Sequence, residues 1–336
     1  MQDSKGALVP SLEVPGLPVA TVEDLDRLAD EFDRNSIARN TRRSYLSDWA
    51  SWLAFCERHQ INPLPAEAAD VRRYLTQLGA VGGRKGAKLK PRTAQRHLAA
   101  IAAAHRAAGL AFDTQGPILR RTMDGIVRTF GARQEGARAL RAADIAAICQ
   151  WFSLDLRSVR NKAIILLGFA GGFRRSEIVG LNVSDLVFEA GLLRVTLRRS
   201  KTDQAGEGRT IVVMPGEKPE TCAVAAVLAW LKAADLEHEG DNPAFRPVGK
   251  RGVVEFTRLS DKTVDRIVKL AARVAGLKES FSAHSLRAGH VTEALANGAD
   301  RAAIKRQTGH HSDAMLDRYA RETNLTVNNS SSRIGL

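Results

Sequence analysis

The chain has 336 residues, 44% of them hydrophobic and 26% charged, and a formal net charge of +13. That length accommodates two ordinary domains with separate cores, and the composition is that of a soluble globular protein, not a disordered or fibrous one. No apolar run reaches the roughly 18 residues of a membrane span, and Met1 to Ala20 lacks the basic start and apolar centre of a secretory signal, so a cytoplasmic protein with no membrane partner is expected.

Residues 1–38 read as an acidic extension, with 3 Lys/Arg against 8 Asp/Glu. Residues 39–133 reverse the balance, with 17 against 6, a net of +11. A basic surface on a folded segment favours a polyanion, because Lys and Arg that neutralise phosphates release condensed counterions. Four amphipathic helical patterns fill residues 39–131, the first domain. Thr41 is the expected cap of the first, in which Tyr45, Trp49, Trp52, Leu53 and Cys56 recur at helical spacing behind Arg39, Arg42 and Arg43. The second carries Val71, Tyr74, Leu75 and Leu78. The third, opened by Pro91 and Thr93, carries Leu98, Ile101 and an alanine-rich face, and the fourth carries Ile118, Leu119, Met123, Ile126, Val127 and Phe130. Aromatic residues on such stripes are core by default. Residues 79–90 are rich in Gly and Lys but lack the GxxxxGK[ST] order of a nucleotide P-loop, and they suit a flexible basic loop lying on a DNA backbone. Residues 132–138 lose apolar periodicity and mark a linker.

A second domain over residues 139–336 has a different character. A helix near Asp144–Trp151 precedes an apolar helix, Ala163–Ala170, that ends at Gly171 and Gly172. Short β-like runs follow at Leu186–Glu189, Leu192–Leu197 and Thr210–Met214, and helical patterns return from Thr221. The expected fold is mainly α: an all-helical first domain, then an α+β domain with a small antiparallel sheet. Cys56, Cys149 and Cys222 form neither a CxxC pair nor a His-flanked ligand set, so they read as reduced thiols and no zinc site is expected.

Six residues carry the chemistry: Arg174 in GGFRRSEI, Lys201 in RRSKTDQAGEGR, His284 and Arg287 in AHSLRAGH, and His310 and Tyr319 in TGHHSDAMLDRYARE. Their order, the His-x-x-Arg pair and the nine-residue interval from His310 to Tyr319 resemble the tyrosine recombinase (phage integrase) family. The resemblance spans nearly the whole chain, since the basic helical first domain looks like that family's core-binding domain. Within the family, the HSxRxG run and the run TRRSYLSDWASWLAFCERHQINPLPAEAADVRRYL are similar to Cre-like enzymes. His310 departs from that group, which has Trp there, and the 79–90 loop is about six residues longer than theirs.

The residue types suit attack on a phosphodiester. Two guanidinium forks, Arg174 and Arg287, can hold the non-bridging oxygens in place of a metal ion, so no metal or nucleotide cofactor is expected. A tyrosine hydroxyl, with a reference pKa of about 10, needs a proton acceptor, for which His284 is the candidate. His310 is the candidate for a further hydrogen bond to phosphate, Lys201 for protonating the leaving 5′ oxygen, and Glu177 for orienting Arg174. His290 and His311 are rival histidines without the motif position. By the same resemblance the helix beginning near Leu259 enters the major groove and brings Lys262, Asp265 and Arg266 to base edges, while Arg42, Arg43, Arg92 and Arg96 contact phosphate. The expected partner is double-stranded DNA with inverted-repeat half-sites, bound by a homotetramer without an accessory protein, with the segment 324–336 docking on a neighbouring protomer and the protein associated with the nucleoid. Two other functions stay open: type IB topoisomerase-like relaxation, and a non-catalytic DNA-binding regulator.

Overall fold

The computed structural model describes residues 27, 39–83, 86, 88–131, 137–198 and 208–323. Nearly all of the acidic extension, most of the expected linker, Lys201 and the segment 324–336 lie outside the described residues. The chain divides into two compact units, Met1–Gln134 and Glu135–Leu336.

In the first unit α1 (Arg39–His59), α2 (Ala68–Thr76), α3 (Pro91–Ala107) and α4 (Pro117–Phe130) bury one apolar face each. Trp52, Val71, Leu75, Ile101 and Leu119 are fully buried in their shared core. Proline opens α3 and α4 at a position whose N–H would have no helical partner anyway. Details differ from the sequence expectation. The chain is already helical at Arg39, so Thr41 lies inside α1 and is not its cap. Leu53, Ile118 and Phe130 sit at the edges of their stripes and are exposed. The 79–90 loop begins as a π turn, Gln77–Val81, that prolongs α2, because Gly79 lets the backbone pack directly on Ile126 and Phe130 of α4.

A buried polar network ties α1 to α3. Asp48 accepts two hydrogen bonds from Arg96, at 2.7 Å on Oδ2 and 2.9 Å on Oδ1, and the same Oδ1 lies 3.3 Å from His97 Nε2. Tyr74 Oη completes the network 2.8 Å from His97 Nδ1. Arg96, expected to contact phosphate, is thus paired through Nε and Nη2 with a buried carboxylate while its side chain stays about half exposed. Arg43 and Arg92 stand exposed on α1 and α3, as does Arg42.

The second unit is built around α6 (Leu156–Ala170), which packs on α5 (Ala142–Cys149), α8 (Ala223–Ala233) and α10 (Ala283–Ala296). It starts a full two turns before the predicted Ala163, capped by Asp155, whose carboxylate accepts the Arg157 and Ser158 N–H groups. The apolar pattern conceals that half because Arg160 is itself buried, its Nη1 donating to the Arg246 carbonyl at 3.1 Å. A three-stranded antiparallel sheet follows, ordered β1 (Leu186–Glu189), β2 (Leu192–Leu197), β3 (Arg209–Val213). Its buried face holds Leu193, Val195, Leu197, Ile211 and Val213. The third strand is one residue earlier than predicted, leaving Met214 exposed and placing Arg209 opposite Leu197. The short α7 (Arg175–Gly180), then α9 (Asp261–Val274), α11 (Arg301–Thr308) and α12 (Asp313–Thr323), complete the unit. Among the described residues no helix is long and apolar enough to cross a membrane.

Candidate active site

Four local structures bring the predicted residues together. Arg174 immediately precedes α7, and Glu177, buried one turn later, grips it twice: Oε2 accepts the Arg174 backbone N–H at 2.8 Å and Oε1 accepts from Nη1 at 2.7 Å. The carboxylate thus closes the helix start and holds the guanidinium in one act. His284 and Arg287 share the first turns of α10, where residues three apart face the same way. Asp265 of α9 accepts the Ala283 N–H at 3.0 Å and so fixes the entry to that helix, with Lys269 Nζ 2.7 Å from its other oxygen. The sequence reading placed Asp265 at DNA base edges; the structure turns its carboxylate to α10 and Lys269, leaving Lys262 and Arg266 exposed on the outer face of α9.

Arg287 is 1% exposed. Its Nη1 donates to the Gly172 carbonyl at 2.8 Å and its Nη2 lies 3.1 Å from His310 Nε2. Gly172 sits at φ +61°, and a Cβ there would strike His290 and Thr308, so this acceptor turn requires glycine on both counts. Burial first, then the like charge of Arg174, lowers the Arg287 pKa to about 10, which still leaves it cationic at neutral pH. His310 Nδ1 is 2.7 Å from Thr308 Oγ1, which donates to the Ile304 carbonyl at 2.6 Å. One tautomer satisfies the chain: Nδ1–H donates to Thr308, and Nε2 accepts from Arg287. Burial, reinforced by the Arg287 and Arg174 charges, pushes the His310 pKa down to about 3. In this arrangement the imidazole holds the arginine fork and presents no N–H outward, a difference from the phosphate-donor role read from the sequence.

Tyr319 lies on α12 against Val291, Ile304 and Leu316, and its hydroxyl is 3.3 Å from His284 Nε2. The His284 pKa is lowered by desolvation first and then by Arg287 and Arg174, so its ring is a neutral acceptor at pH 7. His290 donates from Nδ1 to the Phe169 carbonyl at 3.0 Å, a packing role, and His311 is exposed. Arg209, which the sequence reading passed over, joins the cluster: its Nη2 is 3.5 Å from Glu177 Oε2. The alternation of Arg209, Ile211 and Val213 was the available signal, since it puts Arg209 on the buried face of β3. Around the Glu177 carboxylate the site therefore gathers the cations of Arg174 and Arg209, and Arg287 senses all three groups. Such an excess of positive charge suits a dianionic or delocalised oxyanion. Among the described residues no group of three His, Cys, Asp or Glu is placed to hold a metal ion.

Residues 138–325 match the phage integrase family. The chain is 34% identical over 323 residues to an integrase/recombinase XerD homolog of Selenomonas ruminantium, covering 94% of this chain and 92% of that protein. It is 27% identical to the tyrosine recombinase XerC of Syntrophus aciditrophicus, covering 90% and 94%, and 27% identical to recombinase Cre of Escherichia phage P1, covering 82% and 83%. Among solved structures its fold is similar to a lambda integrase dimer bound to a core site, with a TM-score of 0.54, 19% identity and coverage of 88% and 93%.

Proposed function

Given that this chain belongs to the phage integrase family and is a site-specific DNA recombinase, an enzyme of strand breakage and rejoining, we propose that Tyr319 is its nucleophile and that the cluster around Glu177 is its phosphate-activating site. The observation that carries this reading is the Tyr319 hydroxyl 3.3 Å from His284 Nε2, beside a buried arginine fork. In the proposed step the Tyr319 oxygen bonds to phosphorus while the bond from phosphorus to the 5′ oxygen breaks. The phenolic proton passes to His284, and the leaving oxygen takes a proton from Lys201. The product is a 3′-phosphotyrosine, and attack by a 5′ hydroxyl reverses the step for rejoining. Arg174 and Arg287 hold the non-bridging oxygens, so the charge compensation comes from guanidinium groups, with no metal or nucleotide cofactor. Glu177 holds Arg174 in place, and His310 steadies Arg287; to donate to phosphate, His310 would have to exchange tautomers.

Exchange between two duplexes needs four cuts, and each chain supplies one Tyr319. The proposal therefore includes a homotetramer on two sites, each of two inverted half-sites, without an accessory protein. Residues 324–336 would pack on an adjacent protomer. Arg42, Arg43 and Arg92 are assigned to phosphates, and Lys262 and Arg266 to the major groove.

The test uses duplex recovered by selection from a randomised pool and nicked beside the crossover position. Tyr319→Phe should bind it as the wild type does and form no covalent adduct on denaturing gels. An adduct in the variant would overturn the assignment of the nucleophile.

A further inference from the structure

We infer that Arg209 is a positioning residue for strand cleavage, a clamp that holds the carboxylate behind Arg174 and the turn before His310 in one register. This rests on the reading of Arg174 and His310 given above. Three observations at the start of β3 carry it.

First, Arg209 stands on the buried face of the strand, in line with Ile211 and Val213, where a cation is costly unless it is used. Second, its fork reaches two separate parts of the site. Nη2 lies 3.5 Å from Glu177 Oε2, the oxygen that also accepts the Arg174 N–H. Nη1 donates to the Gln307 carbonyl at 3.3 Å, at the C-terminal end of α11, where a cation also meets the negative end of the helix dipole. Third, the turn leaving that helix is shaped around Arg209. Gly309 adopts φ +66°, and a Cβ there would come within 2.3 Å of Arg209 Nη1. Thr308 and His310, on either side of Gly309, are the pair that orient the imidazole toward Arg287.

Arg209 thus reaches both the Glu177 carboxylate and the α11 end. Its Nε and Nη2 are buried without a hydrogen-bond acceptor among the described residues, so Nη1 alone is hydrogen-bonded and Nη2 meets Glu177 by charge. A lysine could reach one of the two partners but has no planar fork with which to hold both.

The experiment measures single-turnover adduct formation on the same nicked duplex, half-site affinity and thermal midpoint for Arg209→Met, Arg209→Lys, Glu177→Gln and the double variant Arg209→Met/Glu177→Gln. Arg209→Met should slow cleavage on the order of 10- to 100-fold, a typical cost of losing a residue that orients a site, with affinity unchanged. Arg209→Lys should recover part of that loss. Because Arg209 acts in part through Glu177, Arg209→Met should cost less on the Glu177→Gln background than it does in the wild type. Cleavage by Arg209→Met at the wild-type rate would overturn the inference. So would a loss that follows affinity, or one that follows a lowered thermal midpoint and adds in full to Glu177→Gln. If Arg209→Met does not fold, the same criteria apply to Arg209→Lys. Failure of the nucleophile assignment would show instead as an adduct in Tyr319→Phe, an independent readout.

Discussion

His310 is neutral because its partner Arg287 requires it. Its Nε2 must stay unprotonated to accept from Arg287, and its burial beside that charge holds the pKa near 3, well below the ordinary value of 6.5. A histidine whose folded pKa is depressed contributes stability that is complete above the unfolded value and is lost as pH falls toward the folded one. The window is therefore from pH 6.5 downward, at up to about 1.4 kcal/mol per pH unit from this one group. The thermal midpoint should decline as pH drops from 7 to 5, and His310→Gln, which cannot take the proton, should show a shallower decline. Equal slopes in the two proteins would show that His310 is not the group responsible. At this scale the motif order made the Arg174, His284, Arg287, His310 and Tyr319 positions legible, because the chemistry restricts the residue types. What it concealed were charges whose partners are distant in sequence. Arg96 and Asp48, Arg209 and Glu177, and Asp265 with the Ala283 N–H are pairings that only the fold creates, and each such side chain reads in isolation as solvent-facing.

Elements were legible wherever one face is apolar and the other is not, as in α2 and α4, and less so where burial is all-round. The first half of α6 escaped notice because a buried arginine interrupts its pattern, and the π turn after Thr76 because glycine there looked like a loop signal while it serves close packing. Asp265 shows what an element boundary contributes to the site. By accepting the Ala283 N–H it sets the start of α10 one residue before His284. Asp265→Ala removes a cap-like bond worth about 1 kcal/mol, which in a unit of this size lowers the thermal midpoint by about 2–4 °C. It should also slow adduct formation while leaving the selected DNA sequence unchanged. If the variant instead cleaves at full rate and recovers a different sequence from a random pool, Asp265 reads bases and the sequence-level expectation was the better one.

For the whole molecule, the family match sets aside the regulator and topoisomerase readings that composition and motifs alone left open, while the basic surface keeps its own testable meaning. The net of +11 over residues 39–133 coexists with an acidic first segment, so the charge is arranged and not merely abundant. Part of it is already paired within the protein, as the Arg96–Asp48 contact shows, and a simple tally of Lys and Arg overstates the charge left to meet a DNA backbone. Arg43 and Arg92 are exposed on α1 and α3 and remain candidates. Each phosphate neutralised on duplex DNA adds about −0.9 to the slope of log affinity against log salt, because condensed counterions are released. Arg43→Ala/Arg92→Ala should therefore weaken half-site binding about equally for any sequence and reduce the magnitude of the slope by about 2. The measurement is a gel-shift titration over a range of salt with two unrelated duplexes. An unchanged slope would mean that these arginines only solvate the helices, and an effect confined to one duplex would mean that they contact bases. Arg96→Ala, by contrast, should leave the slope nearly unchanged while lowering stability, because it strips a buried carboxylate of its partner and removes no phosphate contact.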